Sequence, residues 1–505
     1  MMNANLASIM PQAIGVWCER MGHRVSFLCY TGFEDVVAEL PADVDVVFVG
    51  AFSEAAQVAY ALSALLRSRG AVTVLGGPHA RCYPEDAQKY FDYVLGFTDE
   101  AVISDVLEDA GPHRPLGRLL GAVKQPLALP GVRERWKFAE PTLRKAPLFQ
   151  IVPMLSSLGC PYTCSFCIDS TVPYQALDTD ELKADLRFLL TKYERPLVGW
   201  HDPNFGVRFD ATMSAIEEAV PAGRIDFAAE SSLALLGEPN LKRLRDNGCV
   251  GLLPGIESWY EMGNKSRTAG AQGLEKVRTV AEHVNMILRY VPYVQANMVF
   301  GLDTDEGAEP FELTKRFVDL APGALPGYSL LTAFGRAAPL NLSYQRAGRV
   351  IPFPFHFLNC HQTMNVRPLH YDWPDFIRRV GDVTRHTFSW GAIAKRMRAT
   401  KSLRSRILNL VRAVSTQGFG RIRYYRWMSR MLRTDPGFLA YFEGRTSVLP
   451  RVFSDRIRRE LGPLWSWLPK GALAYEPNAY ADAQVTPVRA PSVVPSAPSL
   501  APAAV

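Results

Sequence analysis

The first hundred residues alternate short apolar runs with amphipathic stretches, the pattern of strands and helices taken in turn. Ala13 to Met21 has helical periodicity and stops at Gly22. Arg24 to Leu28 reads as a short strand. Val44 to Gly50 and Ala71 to Leu75 are continuous apolar runs, as expected of parallel strands buried on both faces, and a helical stretch between them runs through Arg69 to Gly70. Phe91 to Leu95 is a further strand. Such alternation predicts a doubly wound parallel sheet whose ligand lies beyond the carboxyl ends of the strands. Gly50, Gly76, Gly77 and Gly96 stand at those ends.

Residues 112–149, rich in Pro, Arg and Gly, have weak periodicity and read as a linker. From Gln150 the alternation resumes with longer helices. The predicted strands are Gln150–Ser157, Leu197–Asp202, Ile225–Glu230, Val250–Ile256, Gln295–Gly301 and Tyr328–Ala333, with helices such as Asp180–Tyr193 and Gly273–Val284 between them. Six βα units predict a partial parallel barrel, whose functional groups project from the carboxyl ends of its strands. After Gly348 the alternation gives way to helices rich in Arg and aromatic residues. Beyond Tyr475 the chain is mostly Pro, Ala, Val and Ser, which predicts a disordered tail. The expected order is therefore an α/β domain (1–111), the linker, the barrel (150–347), a helical module (348–475) and the tail (476–505).

Composition adds three constraints. With 505 residues, 48% hydrophobic and 21% charged, the chain can bury a large core. It has no uncharged apolar run of about 18 residues, and no basic stretch followed by an apolar one at its start, so a cytoplasmic protein is expected. The net charge of +6 is unevenly placed: residues 376–460 hold 20 Lys and Arg against 5 Asp and Glu. Basic helices with aromatic flanks suit a solvated cap over the barrel mouth, contact with a lipid-like substrate or the inner face of a membrane, or, as the weakest of the three, nucleic acid.

The chemistry is carried by Cys160, Cys164 and Cys167, spaced C-x3-C-x2-C just past the first barrel strand. Iron–sulfur clusters take thiolate ligands and usually four of them. Three thiolates can hold three irons and leave the fourth open to a small molecule. A zinc site wants a fourth Cys or His nearby, and the next are Cys249 and His201. A disulfide framework is disfavoured in a chain without a secretory signal.

This spacing, with Phe166 before the last cysteine, resembles that of the radical S-adenosylmethionine (SAM) superfamily. The resemblance covers about Phe149 to Ala333. It implies a 4Fe-4S cluster on the three cysteines, with SAM chelated to the open iron and cleaved to a 5′-deoxyadenosyl radical. It also implies SAM or substrate contacts at the strand ends: Asp202 in His201-Asp202-Pro203-Asn204-Phe205, Glu230 and Ser231 after the third strand, Glu257 after the fourth, and Gly301 near the adenine after the fifth. Plain structural roles, such as helix capping for Asp202 or a tight turn at Gly301, stand beside these. The region from Met10 to Asp109 resembles the cobalamin-binding domain that precedes the barrel in one radical SAM subfamily. It lacks an Asp-x-His-x-x-Gly signature for a histidine ligand to cobalt, and the strand and loop expected before Pro11 are largely missing. A structural α/β brace is the alternative.

The resemblance thus implies a cobalamin-dependent methyltransferase that acts on an unactivated carbon of a lipid-like or natural-product substrate, with electrons from a donor such as flavodoxin or ferredoxin. Two rivals remain open: a radical SAM enzyme performing rearrangement, cyclisation or oxidation, and a non-catalytic iron–sulfur redox sensor or nucleic-acid binder. Cys164→Ala is expected to abolish both cluster incorporation and SAM cleavage while far-UV circular dichroism stays native. Cleavage that survives the substitution contradicts the cluster assignment.

Overall fold

The computed structural model describes residues 8–30, 34–41, 43–110, 116–122, 124–146, 150–260 and 270–477. The predicted tail from 478 onward therefore lies outside the described residues, as do residues 1–7.

The first sheet is parallel, in the order β1 (Val46–Gly50), β2 (Val72–Gly76), β3 (Tyr93–Leu95) and β4 (Arg118–Leu120). Its register runs Val46 against Val72 and Val74 against Tyr93. Helices cover both faces. Ala13 and Trp17 of helix Ile9–Arg20 and Ile103 and Val106 of helix Glu100–Asp109 bury one side. Leu62 and Leu66 of helix Ala56–Ser68 join the other side to the main core. Residues 23–30 carry no strand hydrogen bonds, so the short strand expected at Arg24–Leu28 is absent.

Among the described residues of 112–149, the stretch expected to be a linker, lie two regular elements: β4, the fourth strand of this sheet, and helix Val132–Arg144. Weak periodicity hid both. The strand is three residues long and mostly exposed, and the helix carries charge on most of its surface. That helix is a bracket. Arg135 Nη1 donates to Gln12 Oε1 at 3.1 Å, Arg20 Nη2 donates to Glu134 Oε1 at 2.7 Å, and the Val132 amide donates to Asp185 Oδ1 at 2.6 Å. It therefore ties the helix Ile9–Arg20 to the helix Thr179–Lys192 of the next region.

The second region contains two further parallel sheets. One runs β10 (Cys249–Leu252), β9 (Asp226–Ala229), β8 (Leu197–Trp200) and β5 (Ile151–Met154); the other runs β11 (Gly255–Glu257), β12 (Gln295–Phe300) and β13 (Leu325–Leu330). Parallel bridges Leu252–Val294 and Ser232–Gly255 connect them. The sequence pattern joins Val250–Ile256 into one strand, but Pro254 breaks it, because proline has no N–H to give a ladder. The Pro254 carbonyl still accepts from the Asn297 amide at 3.0 Å. A short antiparallel ribbon, β6 (Ser157–Leu158) with β7 (Gln175–Ala176), rises between β5 and β8.

The last of the described residues form helices, chiefly Trp373–Thr387, Trp390–Ala399, Leu403–Val414, Phe419–Thr434 and Arg451–Leu461. Arg396, fully buried, anchors this module below β13 by donating to the carbonyls of Ala324 at 2.9 Å and Thr387 at 3.3 Å. Among the described residues no helix is long and apolar enough to cross a membrane.

His79 is completely buried beside the first sheet, with Nε2 at 2.6 Å from the Tyr60 hydroxyl and Nδ1 at 3.3 Å from Ser53 Oγ. Burial pushes its pKa down from 6.5 to about 3. Between those values the unfolded chain takes up a proton that the folded chain refuses, so the stability this group confers is full above pH 6.5 and is lost as pH falls through that window. At pH 5 it costs about 2 kcal/mol relative to neutral pH. Urea unfolding at pH 7 and pH 5 is expected to show this loss in the native protein and a smaller one in His79→Gln. Equal losses contradict it.

Candidate active site

Two backbone features build the loop that carries the cysteines. The β6–β7 ribbon brings Leu158 opposite Gln175, so residues 159–174 close into a loop. At its neck Gly159 has φ +68°, and a Cβ there would run into the carbonyl of Pro173. Only glycine satisfies both the left-handed backbone and the close approach.

Beneath the neck lies Asp202, 1% exposed, at the end of β8. It accepts from the Ser156 amide at 3.0 Å, from Ser156 Oγ at 2.7 Å and from Ser157 Oγ at 2.7 Å. Burial pushes its pKa up while these hydrogen bonds pull it down. Asp202 thus anchors the base of the cysteine loop.

Within the loop Cys160 is buried, Cys164 and Cys167 are half-buried, and none is in a disulfide. The Cys167 amide donates to the Cys164 carbonyl at 3.0 Å. The Asp169 amide donates to Cys167 Sγ at 3.4 Å, the kind of N–H···S bond that tunes a cluster. Phe166 packs against the main core. Among the described residues no three of His, Cys, Asp or Glu converge as a metal-binding group, so the three thiols share one loop without converging. The donor set is nonetheless the one a four-iron cluster uses: three thiols in one short loop, with a backbone donor already directed at one sulfur.

At the neighbouring strand ends, Asn204 and Ser232 lie side by side. Asn204 Oδ1 accepts from the Ser232 amide at 2.8 Å. Asn204 Nδ2 and Ser232 Oγ are buried and have no hydrogen-bond partner. A buried polar group without a partner is costly, and a donor beside a hydroxyl fits the amino-acid or ribose end of SAM. The motif containing Asn204 was legible in the sequence; Ser232 gave no signal.

The other expected residues are distributed around this rim. Glu230 is exposed at the end of β9, and Ser231 Oγ donates to the Phe205 carbonyl at 3.0 Å. Glu257, at the end of β11, has φ +66°; among the described residues only it and Cys360 are non-glycine residues at positive φ. Its carboxylate folds over Gly255. Gly301 also has positive φ, but the space a Cβ would take is filled by Met364 and Phe376, and its amide donates to Asp305 at 2.8 Å. Gly301 therefore faces the helical module. His361 lines a cavity of about 180 Å³ with Gln295, Asn297, Ser329, Arg412 and Arg421. The Cys360 carbonyl accepts from the Leu330 amide at the edge of β13, and Tyr344 is buried under Arg349.

The carboxyl rim of the first sheet adjoins the cysteine loop. Arg81, just past β2, donates to Asp169 Oδ1 at 3.2 Å and to the Ile168 carbonyl at 3.4 Å, and its guanidinium lies 5.9 Å from the Phe97 ring beyond β3. Of the rim glycines, no atom lies within 4 Å of where a Cβ would stand on Gly76, and Gly96 has only backbone at 3.8 Å or more. Gly50 packs on Pro11, and Gly77 on the Ala51 backbone. Phe52 is 62% exposed beyond β1. Open backbone at Gly76 and Gly96 beside an exposed aromatic fits a flat corrin. His79 is turned inward to Tyr60 and Ser53, so it presents no imidazole to the rim.

No family model matches the chain. Among solved structures it is similar to the radical SAM methyltransferase TsrM from Kitasatospora setae with cobalamin and a 4Fe-4S cluster bound, at TM-score 0.51 and 14% identity over 68% of this chain and 72% of that one. It is also similar to the cobalamin-dependent SAM radical enzyme OxsB with aqua-cobalamin bound, at TM-score 0.53 and 10% identity over 91% of this chain and 81% of that one. The chain has the fold of the cobalamin-binding radical SAM enzymes. Two curated relatives, both from Chlorobaculum tepidum, are 24% identical: bacteriochlorophyllide d C-12(1)-methyltransferase over 57% of this chain and bacteriochlorophyllide d C-8(2)-methyltransferase over 58%. The matches span 64% and 66% of those relatives' own lengths.

Substitution of Ser232 tests ligand binding apart from stability. Its hydroxyl is buried without a partner, so Ser232→Ala is expected to leave the melting temperature unchanged or slightly raised. SAM affinity is expected to fall by about tenfold, the worth of one well-made hydrogen bond to a charged or polar ligand. Calorimetric titration beside thermal melting checks both. Unchanged SAM affinity contradicts the placement.

Proposed function

We propose that the chain is a cobalamin-dependent radical SAM methyltransferase acting on an unactivated carbon of a natural-product substrate. The observation that carries the reading is Arg81: one side chain of the first domain holds the cysteine loop by Asp169 and Ile168 while lying beside Phe97 at the sheet rim. A cofactor on that rim and a cluster on that loop would share one space.

Cys160, Cys164 and Cys167 would hold the cluster, and the rim around Gly76 and Gly96 would hold the corrin. When bound, the cluster supplies the electron that cleaves SAM, and the corrin supplies a carrier for the methyl group. The chain's own residues hold and orient. Asp202, through Ser156 and Ser157, sets the height of the loop. Asn204 and Ser232 meet the polar end of SAM, with Glu230, Ser231 and Glu257 at the neighbouring strand ends. We read the two bridged sheets as one partial barrel of six βα units, whose mouth is shared by the loop and these residues. A small electron-transfer protein such as flavodoxin or ferredoxin supplies the electron, and the reducing cytoplasm suits the thiols.

The curated relatives, methyltransferases of bacteriochlorophyllide d, make that macrocycle the first substrate to test. Anaerobic turnover with SAM, cobalamin, a reductant and bacteriochlorophyllide d or related macrocycles is expected to yield S-adenosylhomocysteine and 5′-deoxyadenosine in equal amounts, with one methyl added. Turnover that yields 5′-deoxyadenosine and an unmethylated product favours rearrangement, cyclisation or oxidation instead.

A further inference from the structure

Helix Leu403–Val414 is packed the wrong way round for a helix in a water-exposed module. It buries Ser405, Asn409 and Ala413, with Asn409 Nδ2 donating to Thr400 Oγ1 at 3.4 Å, and turns four of its aliphatic residues outward while Leu408 packs inward. Leu403 is 69% exposed, Ile407 54%, Leu410 40% and Val414 48%. At 100° per residue these four fall within about 60° of one another, a single narrow stripe. Scattered surface leucines need no explanation, but a continuous apolar stripe on one helix does.

Charge identifies the occupant. On the helical wheel Arg404 and Arg406 fall on opposite sides of the stripe. Arg398 and Lys401, just before the helix, are exposed, as is Lys395 on the preceding helix. Trp390, 69% exposed, lies against Phe419 five residues beyond the stripe's end. An apolar stripe bordered by arginine and lysine, with tryptophan nearby, matches an anionic lipid surface: aliphatic groups enter the acyl boundary, cations meet phosphate, and tryptophan sits at headgroup level. A second copy of this chain would bring the same basic border against itself. The helix also lies at the amino ends of the strands, away from the cysteine loop. Arg404 is 3.5 Å from Asp226 at the start of β9, and Arg412 bonds Tyr293 and Gln295 at the start of β12. We propose that helix Leu403–Val414 seats the protein on an anionic membrane surface with the barrel mouth turned away from it.

Flotation of the full-length protein with vesicles tests this. Binding is expected to vesicles of phosphatidylcholine mixed with phosphatidylglycerol, and weaker binding to phosphatidylcholine alone or in high salt. Ile407→Glu combined with Leu410→Glu is expected to weaken binding roughly tenfold or more while melting temperature and SAM cleavage stay native. Arg398→Gln combined with Lys401→Gln is expected to remove the preference for phosphatidylglycerol. Three results would overturn the proposal: no binding to either vesicle, equal binding by the Ile407→Glu, Leu410→Glu protein, or a dimer in sedimentation that this variant dissociates. The last would make a second copy the occupant.

Discussion

One buried carboxylate sets the height of everything at the candidate site. Asp202 sits at the end of β8 with both oxygens engaged by Ser156 and Ser157, which lie at the foot of the cysteine loop. A carboxylate 1% exposed is tolerated only where such donors converge on it. Their convergence fixes where β6 leaves β5 and hence where Gly159 turns. Removing the charge would leave the loop closed by its ribbon but without a fixed relation to the strand ends. The three thiols are therefore placed by a group that touches none of them.

A second level of organisation joins the domains. Helix Val132–Arg144 clamps the first domain to the second through Gln12, Glu134 and Asp185, and Arg81 joins the sheet rim to the loop. Further contacts reinforce this seam: Tyr83 donates to the Ala333 carbonyl at 2.9 Å, and Arg336 pairs with Glu85. A methyl carrier and a radical source must reach the same carbon, so a rim and a loop that share polar contacts are what such chemistry requires. The basic module closes the other end, with Arg396 and Arg412 reaching the amino ends of β12 and β13.

Much of this was legible in the sequence because burial enforces it. Strands β1, β2, β8, β9 and β12 stood where expected, because short apolar or alternating runs set between helical stretches leave few other readings. The cysteine triplet was legible because each of its positions needs one residue type. Of the glycines after β1 to β3, only Gly77, at φ +87° against the Ala51 backbone, needs its residue type. Charged or interrupted elements were not. Helix Val132–Arg144 hides its apolar stripe among arginines and glutamates, β4 is too short to alternate, and Pro254 splits a strand that hydropathy joins. Among site residues, Asp202 and Gly301 each left a cofactor contact and a structural role open; Asp202 anchors the loop and Gly301 packs on Met364. A carboxylate or a glycine at a strand end has the same sequence signature whether it faces a ligand or a neighbouring chain segment. Arg81 and Ser232 carry no signature at all, because their roles exist only once β2 and β9 are brought beside the loop.

The proposed function requires one chain to hold a cluster and a corrin at adjoining sites. The most direct measurement is the visible spectrum of protein purified without oxygen, reconstituted with iron and sulfide, mixed with hydroxocobalamin and desalted. Sharp corrin bands retained over broad cluster absorption are the predicted result. Cluster absorption without corrin bands would reduce the first domain to a brace and contradict a shared site.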